Sequence, residues 1–215
     1  MGQYRPDTLG HEDPATDGRE SEEMTIAGNP VLQTLAAMAT ISIIGWGVQP
    51  SNPASPQLFA ASVPLKEQWW QLITANYAHL DTAHFMSNAV FVLVAGGIVS
   101  FSTSAIRFHL FFIITGIITT AVQLQAIAVS GGGPTWIVGS SGAAFALCGY
   151  VIGAFANSAI SGRIGISRIG LITGMLVAAG LFTIRFSPEG SAFLSHFVGA
   201  TIGVLIGWFR LLQAS

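Results

Sequence analysis

Three sets of polar residues interrupt stretches that are otherwise apolar, and their types suit acyl transfer. His84 and Asn88 are four residues apart, so on a helix they share one face. Gly139-Ser140-Ser141-Gly142 delivers a serine, Ser141, to the start of an apolar run after a glycine-rich loop. His196 opens a further apolar run and is followed by Gly199, Gly203 and Gly207 at spacing four. A small-residue stripe of that kind lets a second helix approach closely. If the second helix carries Ser141 in its first turn, hydroxyl and imidazole meet, and His196 can take the serine proton. The backbone N–H groups at that helix start would then point at a developing oxyanion, and His84 and Asn88 add side-chain donors. No carboxylate lies inside the apolar runs to orient His196, so the expectation is a dyad rather than a triad.

Each set also has a plainer reading. His84 and Asn88 could be a hydrogen-bonded packing pair between helices. Ser141 could be only a helix cap. Packing alone accounts for the glycines, though not for a histidine beside the same stripe. The serine does not sit in the G-x-S-x-G elbow of soluble hydrolases, because Gly142 follows it directly. His79 is five residues before His84, roughly 140° around a helix, which gives it a separate task. Cys148 reads as a small apolar residue, His109 as interfacial, and Gln123, Gln125 and Asn157 as interhelical hydrogen-bonding groups.

The elements that must position these groups follow from composition. Of 215 residues, 51% are apolar and 8% charged, whereas soluble domains carry about 25% charged. Residues 1–23 hold seven acids and two bases, and the remainder three acids and six bases. No charge occurs between Glu23 and Lys66 or between Arg107 and Arg163. A soluble enzyme is excluded, because a chain of this length could not bury so much apolar surface. No basic patch is present for nucleic acid. A single cysteine excludes an internal disulfide and a cysteine-based metal site.

The expected fold is an all-α polytopic membrane bundle of six transmembrane helices, at about 20 apolar residues each. The spans read as Val31 to Val48, Thr82 to Phe101, Arg107 to Val129, Ser141 to Ile160, Arg168 to Phe186 and Ala192 to Leu212. Residues 1–29 form an expected acidic, disordered cytoplasmic tail, and residues 30–215 the membrane domain. The acidic start lacks the basic and apolar regions of a signal peptide. A polar, proline-rich stretch from Gln49 to Glu67 leaves the bilayer and ends at Trp69 and Trp70, which suit an interface. Six spans put Arg5, Arg19, Arg107, Arg163, Arg168 and Arg210 on the side of both termini, and Lys66 and Arg185 opposite. The positive-inside rule therefore places both termini in the cytoplasm.

These motifs, taken together and in order, resemble the rhomboid family of intramembrane serine proteases. His79-x4-His84-x3-Asn88 is similar to the family's second-helix motif. Gly139-Ser140-Ser141-Gly142-Ala143-Ala144-Phe145 is similar to its serine motif, and Ser195-His196-Phe197-Val198-Gly199 with Gly203 to its last-helix histidine motif. The resemblance covers roughly residues 30–212. It implies Ser141 as nucleophile and His196 as general base and acid, with His84, Asn88 and the Ser141 amide stabilising the oxyanion. It further implies that Phe145 packs on the His196 ring and that Gly199 allows the fourth and sixth helices to close together. His79 would support the loop before the second helix, and Gly139, Gly142 and Gly203 would complete the motifs. The implied substrates are single-span membrane proteins in the lipid bilayer, cut near the outer face beside small residues after local unwinding. Loops or the fifth helix would gate access, and neither a metal nor an organic cofactor is implied. Two positions depart from the pattern: Gln71 follows Trp70 where the family often has arginine, and Ser195 stands where alanine is usual. A catalytically inactive binding relative would normally lack Ser141 or His196, and both are present. A small transporter would show broken helices or half-repeats, of which the sequence has no sign.

Overall fold

Asn29 starts the first long helix, α1 (Pro30–Gly47), by accepting the Val31 and Leu32 amides at 2.9 and 3.2 Å, with Pro30 at the first helical position. Comparable side-chain caps begin three others. Asp81 caps α3 (Thr82–Ser100), Ser104 caps α4 (Ala105–Val129) and Ser167 caps α6 (Arg168–Phe186). The remaining helices are the short α2 (Gln71–Thr74), α5 (Ser141–Ile160) and α7 (Phe193–Trp208). The computed structural model describes residues 28–48, 58–63, 68–132, 135–160, 167–187 and 191–213. The expected acidic tail, up to residue 27, lies outside the described residues, as do Lys66 and Arg163.

The six long helices follow the expected order. Four of them, α1, α3, α4 and α5, are long and apolar enough to cross a membrane, while Gly170–Phe186 and Phe193–Trp208 are apolar but shorter. At 16 residues α7 measures about 24 Å, against a hydrocarbon core of about 30 Å. It stops four residues before the expected Leu212. Arg210 there has φ 52°, a conformation that a right-handed helix cannot include. Outward-facing surfaces carry large apolar side chains, with Phe101 90% and Val129 78% exposed, the reverse of a water-soluble surface. Inward-facing threonines satisfy their hydroxyls on their own helices: Thr34, Thr115, Thr119 and Thr183 each donate to a carbonyl three or four residues back.

The closest helix pair is α5 with α7, and glycine makes it possible. A Cβ at Gly199, Gly203 or Gly207 would stand 2.1, 2.0 or 2.1 Å from the carbonyl oxygens of Gly142, Ala146 and Tyr150. From the other side, a Cβ at Gly149 or Gly153 would stand 2.3 or 2.1 Å from the carbonyls of Ala200 and Val204. The glycine stripe after His196 therefore presses on the helix that starts at Ser141. α5 is also the most buried of the four span-length helices, as its Gly- and Ala-rich sequence allows.

Three features have no counterpart in the expected spans. α3 contains a wide π turn at Val92–Gly96, and Asn88, Val92, Ala95 and Val99 are among its buried residues. A small antiparallel pair joins β1 (Ala61–Val63) to β2 (Thr135–Ile137), with Ala61 opposite Ile137 and Val63 opposite Thr135. Finally, α2 folds back under this pair: the buried Gln71 amide donates to the Leu58 carbonyl at 3.2 Å. Glutamine at this departure from the usual motif thus still ties the first loop.

Candidate active site

Ser141 owes its position to the loop before it. Gly139 has φ 119°, in the left-handed region that favours glycine, and its N–H donates to Ala75 O at 2.8 Å. A Cβ there would also lie 2.8 Å from Cε1 and Nε2 of His84. Glycine is thus needed both for the turn and for the approach of the imidazole. The Ser140 carbonyl accepts the Ala144 amide at 2.8 Å, so the helix begins at Ser140 and its first full residue is Ser141. The Ser141 hydroxyl reaches Nε2 of His196, with an Oγ–Nε2 distance of 2.8 Å.

His196 is held on three sides. Phe145, one turn after Ser141, stacks on its ring with centroids 4.3 Å apart and planes 11° from parallel. Its Nε2 meets Ser141, and its Nδ1 lies 2.7 Å from Oγ of Ser187, the residue that ends α6. The apolar runs hold no carboxylate to orient this ring. The Ser187 hydroxyl stands there instead, and nothing in the sequence around it pointed to that placement. Gln123 on α4 fixes the first turn of α7, its Oε1 accepting the Ser195 amide at 3.1 Å. That is the interhelical bond expected of it. Ser195 is buried, and Gly142 leaves room for it: a Cβ on Gly142 would meet Ser195 Oγ at 2.8 Å and Thr119 Oγ1 at 2.1 Å.

His84 and Asn88 share a face of α3, as their spacing requires. The Asp81 carboxylate accepts the His84 amide at 2.8 Å and so orders the turn that carries the imidazole. Asn88 is buried; its Nδ2 donates to the His84 carbonyl at 3.2 Å, leaving a second amide hydrogen for another acceptor. Both residues line one cavity of about 620 Å³ together with Ser141, Phe145, Gly139 and His196. The structure therefore brings Ser141, His196, His84 and Asn88 to one space, which Trp136 and Phe186 also line.

His79 does not belong to α3, which begins at Thr82. It is 1% exposed and bridges two elements: Nδ1 lies 3.0 Å from Ser42 Oγ on α1, and Nε2 lies 3.3 Å from Ser140 Oγ. Its carbonyl accepts Trp46 Nε1 at 2.8 Å. Burial, reinforced by the neighbouring His84, pushes its pKa down to about 3. The ring is therefore neutral, one nitrogen donating and the other accepting, which matches two hydroxyl partners. His109, read from sequence as interfacial, is half-buried and bonded across helices: its Nε2 lies 2.7 Å from Oε1 of Gln33.

The fold and this cavity define a multi-pass helical membrane protein with a hydrogen-bonded serine–histidine pair inside its bundle. The model of the Rhomboid domain family matches residues 66–213, well over half of the chain, and the protein belongs to the rhomboid family. Members of that family are generally intramembrane serine proteases acting on transmembrane substrates, and inactive members exist. No curated protein matches the sequence.

Proposed function

We propose that this rhomboid protein is an active intramembrane serine endopeptidase in which Ser141 and His196 form the catalytic pair. The observation that carries the reading is the 2.8 Å bond between Ser141 Oγ and His196 Nε2 in a cavity that His84 and Asn88 also line. In the first step Ser141 Oγ attacks the scissile carbonyl carbon while Nε2 takes the hydroxyl proton. The resulting oxyanion is stabilised by the Ser141 amide and the side chains of His84 and Asn88. Collapse of the tetrahedral intermediate breaks the C–N bond, and His196 returns its proton to the departing amine. Water then attacks the serine ester, His196 again acting as base, to release the acid and regenerate Ser141.

Phe145 and Gly199 act on this chemistry through position, one by stacking on the base and the other by closing α7 onto α5. His79 holds the loop that delivers Ser141, and Gly139 gives His84 its approach. Residues 30–215 are the protease domain and residues 1–29 a cytoplasmic tail. With both termini in the cytoplasm, α3 and α5 begin on the outer side, so the cavity opens toward the outer leaflet. The substrates are single-span membrane proteins cut near that face. The test is cleavage of a labelled transmembrane substrate by purified protein in detergent, with Ser141→Ala and His196→Ala beside the wild type. Loss in both folded variants supports the reading; equal cleavage in either contradicts it.

A further inference from the structure

The proteolytic reading requires Nε2 of His196 to be free of hydrogen when it accepts the Ser141 proton. In a neutral imidazole the single ring proton then sits on Nδ1 and needs an acceptor. The group at that nitrogen is the Ser187 hydroxyl, 2.7 Å away. We propose that Ser187 is a positioning residue for His196, fixing the tautomer and the ring angle that catalysis needs, in the place where soluble serine proteases use a carboxylate; the inference rests on the protease assignment above.

Ser187 is well placed to do this. It ends α6 in an extended conformation, φ −83° and ψ 123°, with its N–H still donated to Thr183 O at 2.9 Å. The preceding Phe186 is anchored edge-on to Phe91 on α3, with centroids 6.0 Å apart. Phe182, one turn earlier, packs against Phe145 at 5.2 Å, and Phe145 stacks on the imidazole. The end of α6 thus meets the ring edge directly through the Ser187 hydroxyl and backs its face indirectly, Phe182 packing behind Phe145. A neutral acceptor gives a modest bond to the resting imidazole. The bond strengthens once His196 holds the serine proton, because the donor is then charged. The contribution consequently falls on the transition state more than on substrate binding, and kcat rather than KM carries it.

The experiment compares wild type, Ser187→Ala, Ser187→Thr and Ser141→Ala as full-length protein in detergent. Two rates are read: cleavage of a transmembrane substrate, and labelling of Ser141 by a small fluorophosphonate that does not require a helix to bind. Losing one hydrogen bond of this kind should lower kcat of Ser187→Ala by about tenfold. KM should stay within about twofold, and labelling should slow in step with kcat. Threonine retains the hydroxyl and should restore both rates to within about threefold of wild type. A Ser187→Ala protein with wild-type kcat and labelling, or a defect confined to KM, overturns the positioning role. So does a threonine variant no better than alanine. In each of those cases an active wild type and a dead Ser141→Ala leave the protease assignment standing. A wild type that neither cleaves nor labels overturns both.

Discussion

Phe145 and His196 lie nearly parallel, their ring centroids 4.3 Å apart at 11°. The two residues come from different helices, and the stack exists because glycines bring α5 and α7 into backbone contact. Phe145→Leu keeps an apolar side chain of similar bulk but removes the ring face. Aromatic pairs contribute roughly 0.5–1.5 kcal/mol beyond simple burial, so the rate should fall by up to about tenfold. Thermal unfolding in detergent should change little. A rate equal to wild type would show that the stack does not orient the base.

The α5–α7 seam gives a sharper contrast between glycines. At Gly203 an added methyl would stand 2.0 Å from the Ala146 carbonyl, a backbone atom that cannot rotate away. Gly203→Ala should destabilise by about 1–3 kcal/mol, as overpacking does elsewhere. At Gly199 the obstructing atom is the carbonyl of Gly142, next to Ser141, so Gly199→Ala should lose activity as well as stability. Gly174 on α6 has nothing within 4 Å of that position. Gly174→Ala should be neutral or stabilising by up to about 1 kcal/mol. Unfolding midpoints of the three variants in one detergent decide the matter.

Asn88 should matter to rate without mattering to the serine–histidine bond. Removing one oxyanion donor typically costs about 10²–10³ in rate. Asn88→Ala is expected to show that loss in kcat while Ser141 remains bonded to His196. An unchanged rate would remove Asn88 from the oxyanion site and leave it as a packing residue.

His79 predicts an acid sensitivity with a defined sign. Its pKa is near 3 in the fold, from burial first and His84 second, against 6.5 for a free histidine. The unfolded chain therefore binds a proton that the folded one refuses at any pH between those values. Stability from this residue is complete above pH 6.5 and declines as pH falls below it, by about 1.4 kcal/mol per unit. His79→Gln should be less stable at neutral pH, having lost the bridge between Ser42 and Ser140, yet should show a shallower decline between pH 6.5 and 4.5. Parallel stability curves for the two proteins would contradict a buried neutral His79.

The long helices were legible because their signal is large: runs of apolar residues uninterrupted by charge over tens of positions. Ser141, His196, His84 and Asn88 stood out against that background as polar groups that lipid does not tolerate. The glycine stripe indicated that some helix lies close against His196; that this is the helix of Ser141 was what the resemblance implied, and the carbonyl contacts of Gly199 and Gly203 agree. What the sequence did not reveal depends on short-range geometry. Three-residue strands such as Ala61–Val63 have too few positions to show an alternation, and the π turn at Val92–Gly96 leaves no mark in composition. Ser187 carried no signal in the sequence; only the relative placement of the end of α6 and the first turn of α7 brings its hydroxyl to Nδ1.

A serine activated by His196 should react covalently with an electrophilic phosphonate. The most direct measurement is intact-mass and peptide mapping after exposure of the purified protein to a fluorophosphonate. One adduct is expected, located on Ser141, forming at a rate strongly reduced in His196→Ala. No adduct on folded wild-type protein, or an adduct whose rate is the same without His196, would contradict that activation.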